Sequence, residues 1–250
     1  MTIDLNCDMG ESYGRYQIGN DAAIFPYITS ANIACGFHGG DPLSIERTIQ
    51  LAIEHEVQIG AHPGYPDLMG FGRRKMHIPA SDLKAMVKYQ VAAIKGLAES
   101  HGGHLTYVKP DGALYNSMVK DAEETAVVVE AILAINENIA IMGLAGSRVK
   151  AIVEAKGGRF IAEAFADRRY EADGTLMSRL KEGAVLHDPE QIAAQVLQIV
   201  REKKVTTADG VKIEMDAQSI CIHGDNPAAL TILQHLDKAF QNANIQKASF

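Results

Sequence analysis

The sequence predicts an α/β protein, an irregular (β/α)7 barrel of TIM-like type. Three observations predict it. Short apolar runs rich in β-formers alternate with amphipathic helical stretches, which implies parallel strands joined by crossovers. Seven such units can be counted and no eighth is visible. No linker rich in Ser, Gly or Pro divides the 250 residues, so residues 1–250 read as a single barrel domain.

The expected strands are Ile3–Asn6, Ala31–Ala34, Gln58–Ala61, Leu105–Val108, Ile139–Leu144, Arg159–Ala164 and Ser219–Ile222. Between them, Asp41-Pro42 opens a helix with Ile45, Ile49 and Ile53 on one face. The carboxylate can cap free N–H groups, and Pro at the first helical position loses no hydrogen bond. Leu83, Val87, Val91, Ile94 and Leu97 form the next stripe, ended by Gly102-Gly103. Asp121 and Glu124 start a helix carrying Val128, Ile132 and Ile135, and a shorter one is expected over 147–155. His187-Asp188-Pro189 and Asp225-Asn226-Pro227 repeat the Asp/Pro start before the last two stripes.

Two segments break the rhythm. Residues 170–186 lack periodicity and contain the turn signal Asp173-Gly174; a loop of that length in a compact domain is often functional. Residues near 205–215 read as a β-hairpin about Ala208-Asp209-Gly210, an excursion before the last strand.

Hydrophobic residues make up 47% and charged ones 22%, the balance of a soluble globular chain, and exclude intrinsic disorder. The net charge of −7 excludes a broad nucleic-acid or anionic-membrane surface but not a small cationic pocket. No run approaches the ~20 apolar residues of a membrane span, and no secretory signal opens the chain. Three cysteines without C-x-x-C spacing suit a reducing, cytoplasmic compartment.

In a parallel α/β architecture the chemistry gathers at the C-terminal ends of the strands. The polar residues there are Asn6, Asp8 and Glu11; Asn32 and His38; His62; Lys109, Asp111 and Tyr115; Asp167 and Arg168; His223 and Asp225. Asp8, His38, His62, Lys109 and His223 are the strongest candidates. Asp8, His38 and His62 could hold a divalent metal, although their spacing matches no compact metal motif. Without a metal the same groups suit acid–base work, and Lys109 suits a developing oxyanion or an ion pair with Asp8 or Asp111. Arg73, after a Gly/Pro-rich loop, suits a carboxylate or phosphate. Gly143, Gly146 and Ser147, between a strand and a helix, form a weak phosphate-binding candidate, with a tight turn as the plainer reading. Asp41 and Asp225 are as readily helix caps, and Cys35 a buried thiol. No P-loop and no G-x-S-x-G elbow is present, so ATP binding by a P-loop and a serine nucleophile of that kind are not expected.

Longer motifs carry a resemblance. They are Leu5-Asn6-Cys7-Asp8-Met9-Gly10-Glu11, Ser30 to His38 with Gly40-Asp41, Gly60-Ala61-His62-Pro63 with Phe71-Gly72-Arg73, Lys109-Pro110-Asp111-Gly112-Ala113-Leu114-Tyr115-Asn116, Phe165-Ala166-Asp167-Arg168 and Cys221-Ile222-His223-Gly224-Asp225. Together, from Ile3 to about Phe240, they resemble the LamB/YcsF family, the A subunits of bacterial 5-oxoprolinase. The resemblance implies a barrel of the glycoside hydrolase/deacetylase kind. It also implies ATP-dependent opening of 5-oxoproline to L-glutamate with partner subunits B and C, ATP being used on the partners. The family's motif reads K-P-H-G where this chain has Asp111.

On that expectation Asp8, His38, His62, Lys109, Asp111 and His223 are catalytic. Asn6, Glu11, Asn32, Arg73, Tyr115, Asp167 and Arg168 bind substrate. The competing classes are a metal-dependent amide or N-acetyl-sugar hydrolase and a non-catalytic carbohydrate-binding or regulatory protein. A homo-oligomer is left open.

Overall fold

A computed structural model describes residues Met1–Phe250. Seven parallel strands close into a barrel: β1 (Thr2–Met9), β2 (Ser30–Ala34), β3 (Gln58–His62), β4 (Leu105–Val108), β5 (Ala140–Leu144), β6 (Phe160–Phe165) and, after a hairpin, β9 (Ser219–Ile222). Each pairs with the next, β6 pairs with β9, and β9 pairs back onto β1, so no barrel edge is left open. The hairpin is β7 (Lys204–Thr206) and β8 (Lys212–Glu214), and a short β10 (Gln246–Lys247) pairs with Thr2 and Ile3.

Helices lie between the strands: α1 (Asp21–Ile24), α2 (Pro42–Glu54), α3 (Ala80–Ser100), α4 (Gly112–Lys120), α5 (Ala122–Leu133), α6 (Val149–Ala155), α7 (Pro189–Glu202) and α8 (Ala229–Ala243). Asp41 and Asp121 each accept two backbone N–H bonds at the starts of α2 and α5, and Asp188 accepts one at the start of α7. Two expected starts differ. α8 begins at Ala229, because Asn226 closes a turn on the Ala228 N–H and Asp225 faces Arg73 instead of a helix end. α6 begins at Val149, because Ser147 bonds back to Leu144. No helix is long and apolar enough to cross a membrane.

Alternation along the strands separates two cores. On β1, Ile3, Leu5, Cys7 and Met9 join the main apolar core outside the barrel, whereas Asp4, Asn6 and Asp8 share the opposite, interior face. A second small cluster, Tyr107, Ala140, Met142 and Ile161, is separate from it. A Cβ on Gly60 would overlap the Tyr107 ring, so glycine is what lets that ring pack across β3. Above it the interior turns polar: Asn6, Asn32 and Glu163 are fully buried.

Candidate active site

At the C-terminal ends of the strands lies a cavity of about 440 Å³, lined by residues from nearly every strand end. Its floor is built on Lys109, which follows β4 and is 2% exposed. Its Nζ lies 2.9 Å from Asp8 Oδ1, 2.9 Å from Glu163 Oε1, 3.2 Å from Asn6 Oδ1 and 3.0 Å from Cys221 Sγ. Burial disfavours the charge, but Asp8, Cys221 and Glu163 outweigh it and hold the ammonium well above its usual value. Burial also opposes the charge on Asp8, and there Lys109 and His62 prevail, holding the carboxyl well below its usual range.

Asn6 and Asn32 form the layer beneath. Asn32 Nδ2 donates to both Asn6 Oδ1 (2.7 Å) and Asp8 Oδ1 (2.8 Å), and Tyr107 Oη donates to Asn32 Oδ1 (2.6 Å). Both amides are fully buried below the cavity, so they orient the floor and do not line it.

Beside Asp8 stands His223, just after β9; one ligand atom each of Asp8, Cys221 and His223 lie within 4.8 Å of one another. His223 Nδ1 lies 2.9 Å from Asp167 Oδ1, and its ring stacks on Phe165 with centroids 5.5 Å apart. Asp167 is buried behind it; burial raises its pKa, but His223 and nearby guanidiniums bring it below the usual value. The carboxylate fixes the proton on Nδ1 and leaves Nε2 free for proton transfer. Gln195 on α7 donates one amide to the carbonyls of Phe165, Ala166 and Arg168, which pins the turn carrying Asp167.

The mouth is cationic. Arg73 reaches Asp225 at 2.5 Å and lies over Phe71; Arg168 donates to the Met177 carbonyl. Burial and the neighbouring Arg179 push Arg168 down to about 10, and burial and Arg73 lower Arg179 as well. The loop over 170–186 supplies this side: Thr175 to Leu180 line the cavity. Tyr115 also lines it, with its hydroxyl unpartnered.

At the end of β3, His62 Nδ1 is 2.7 Å from the Lys109 carbonyl, while Nε2 faces Asp111 (3.3 Å) and Asp8 (3.5 Å). Burial opposes its charge, yet those carboxylates raise it to about 10. His38 is fully buried, its Nε2 3.2 Å from Glu11 and its Nδ1 3.6 Å from Asp111. Cys35 is a buried thiol that burial raises further.

The sequence matches the LamB/YcsF family over residues 3–250. The chain belongs to the LamB/YcsF family. Among its relatives is the A subunit of 5-oxoprolinase from Pyrococcus abyssi, 47% identical over 98% of this chain and 96% of that protein. Among solved structures, a lactam utilization protein from Thermus thermophilus superposes with a TM-score of 0.95 at 38% identity, covering 100% of both chains. The catalytic domain of a peptidoglycan N-acetylglucosamine deacetylase from Eubacterium rectale shares the barrel alone, with a TM-score of 0.53 at 8% identity over 100% of this chain and 88% of that one.

The LamB/YcsF motifs fall on one end of the barrel. Asp8, Glu11, His62, Lys109, Asp111, Tyr115, Arg73, Arg168 and His223 line one cavity, with His38 and Asp167 directly behind them. Gly143, Gly146 and Ser147 are not among its lining residues; Gly146 and Ser147 line a separate depression beside α6. Sequence reasoning missed Glu163, Phe165 and Arg179. Glu163 carried one signal, an acidic residue inside the apolar run Phe160–Phe165. Arg179 carried none beyond its place in the long aperiodic loop.

Proposed function

We propose that this protein acts as the A subunit of an ATP-dependent 5-oxoprolinase, opening the lactam of 5-oxoproline to L-glutamate with partner subunits B and C. The supporting observation is the composition of the cavity. An oriented imidazole, a buried ammonium and three guanidiniums converge there in a chain of net charge −7. That set suits a small substrate carrying a carboxylate and a phosphate.

A five-membered lactam resists water, and transfer of the ATP γ-phosphoryl group to its oxygen makes the ring carbon electrophilic. Without a P-loop in this chain, that transfer belongs to the partners. The activated lactam then enters the cavity. Arg73, Arg168 and Arg179 hold its anionic groups, and the Lys109 ammonium faces the charge that develops on oxygen. His223 Nε2 takes a proton from the attacking water as the new C–O bond forms. It returns that proton to the ring nitrogen, and the proton of the new hydroxyl follows by the same imidazole as the C=O forms and the C–N bond breaks, so both protons of the water end on the leaving amine. The product is an acyl phosphate, and a second water releases glutamate and phosphate. Asp167 holds the imidazole tautomer throughout. A cytoplasmic location fits an ATP-consuming partner.

The test is glutamate release from 5-oxoproline by this chain with ATP, with and without B and C. Turnover is expected only with all components. His223→Gln is expected to lower it about 10²–10⁴-fold. Release of glutamate without ATP, or near-normal turnover of His223→Gln, rejects the reading. The first of these outcomes would favour a direct amide hydrolase.

A further inference from the structure

Four further side chains have no part in the scheme above. Glu11, His38, His62 and Asp111 come from the loops or ends after four successive strands. Each offers one donor atom, all within 4.8 Å of one another. Their hydrogen bonds engage one nitrogen of each ring. His62 Nδ1 donates to the Lys109 carbonyl, so Nε2 is the nitrogen left to take up a proton or a metal ion. His38 Nε2 faces Glu11 Oε1 at 3.2 Å, which leaves Nδ1 in the same position. Both of these nitrogens face Asp111, at 3.3 Å from His62 and 3.6 Å from His38.

The result is an arrangement that hydrogen bonding leaves unmet. His38 Nδ1, His62 Nε2 and Asp111 Oδ2 are buried and without a partner. His38 and His62 are 0% and 1% exposed and Asp111 7%. Ring nitrogens facing a carboxylate in a dry site call for a cation between them, a proton or a metal ion, because such groups are normally satisfied. The separations suit a cation between them. Donors each ~2.1 Å from a tetrahedral ion lie ~3.4 Å apart. Backbone space is reserved as well. A Cβ on Gly72 would overlap Asp111 Oδ2, and one on Gly64 would lie 3.1 Å from both His38 Nδ1 and Asp111 Oδ2.

We infer that His38 Nδ1, His62 Nε2 and Asp111 form a binding site for a divalent transition metal of the zinc class. Glu11 and the Lys109 carbonyl act as positioning groups for the two imidazoles. Two imidazoles and one carboxylate are a donor set for zinc or ferrous iron rather than magnesium or calcium. His62 and Asp111 border the cavity, so a remaining coordination position would open onto it. A carboxylate or backbone oxygen behind each imidazole is the usual support for a metal-bound histidine.

The inference does not rest on the 5-oxoprolinase reading, and its test uses neither lactam nor ATP. The purified full chain is stripped with a chelator, dialysed, and titrated with Co²⁺ by visible absorption and with Zn²⁺ by calorimetry. One equivalent of each is expected to bind, Co²⁺ giving the d–d bands of nitrogen and oxygen ligation. Asp111→Asn and His62→Gln, which preserve side-chain shape, are expected to weaken both metals more than 100-fold. Glu11→Gln is expected to weaken them about 10–100-fold with the Co²⁺ spectrum retained. No binding by the stripped wild-type chain overturns the inference. So does equal affinity in folded Asp111→Asn and His62→Gln proteins, which would place the ion elsewhere.

Discussion

Asp4 and Asp8 lie four residues apart on one strand, on its interior face, yet they are held by opposite means. Asp4 sits at the N-terminal end of the barrel among hydroxyls. Thr29 and Ser30 donate to its Oδ1 at 2.6 Å and 2.7 Å, and Ser219 donates to its Oδ2. It forms no ion pair, and burial outweighs those bonds, so its pKa is raised. Asp8, at the other end, faces Lys109 and His62 and is depressed. Hydroxyls can satisfy a carboxyl in either protonation state, whereas a buried ammonium demands the anion. The lower end is therefore built to persist and the upper end to carry charge.

This contrast can be broken most severely at Lys109. Lys109→Met leaves Asp8 and Glu163 buried without their cation, which is expected to cost roughly 3–5 kcal/mol. Turnover of the reconstituted complex should vanish. Adding Glu163→Gln should restore part of the urea midpoint and none of the turnover. A Lys109→Met protein with wild-type activity would remove the floor from the mechanism.

A smaller loss is expected for Asp167→Asn. It keeps the shape but offers an amide to His223 Nδ1, so kcat should fall about 10²–10⁴-fold while KM moves little. Equal effects on kcat and KM would instead mark Asp167 as a substrate contact. Arg179→Ala should act the other way round. Losing one charge-assisted bond of ~1.5–3 kcal/mol raises KM about 10–100-fold with kcat nearly kept. Steady-state kinetics on both variants decides the pair.

The smallest effect on activity is expected at Asp4. Asp4→Asn should turn over within about threefold of wild type. Its signature lies in pH. A raised native pKa makes Asp4 unfavourable at neutral pH, and that penalty disappears as pH falls through the native value, so wild type should gain on Asp4→Asn with acidification. Asp8 has the reverse sign. Its contribution is present above the unfolded value of about 3.9 and is lost as pH falls through its depressed native value. Wild type should therefore lose its lead over Asp8→Asn in acid. Urea midpoints of the three proteins from neutral to about pH 3 should diverge in opposite directions, and parallel curves would erase the distinction.

The seven strands and the gathering of polar residues at one end of the barrel were legible in the sequence, because apolar runs and their polar terminations are local signals. Depth was harder to read. Periodicity ends β1 at Asn6, but pairing with β2 extends it to Met9. The true rim is three residues further on, which is why Asn6 and Asn32 lie beneath the cavity. Glu163 escaped for a related reason. Its partner Lys109 is distant in sequence, and only closure of the barrel brings the two together. α4 was also hidden, because nine residues with a short buried face give too little period to recognise.

The arginines at the mouth have a kinetic consequence. An anion approaching this protein meets a net charge of −7 at long range and guanidiniums at short range. At low ionic strength the far field extends over tens of ångströms and repels; near 0.1 M salt it decays within ~10 Å, while contact with the mouth survives. Capture of an anionic ligand should then quicken as salt is first added and slow only at higher salt. A uniformly basic binding surface would show the opposite trend from the start. Stopped-flow association rates across ionic strength would reveal which of the two fields an incoming substrate obeys.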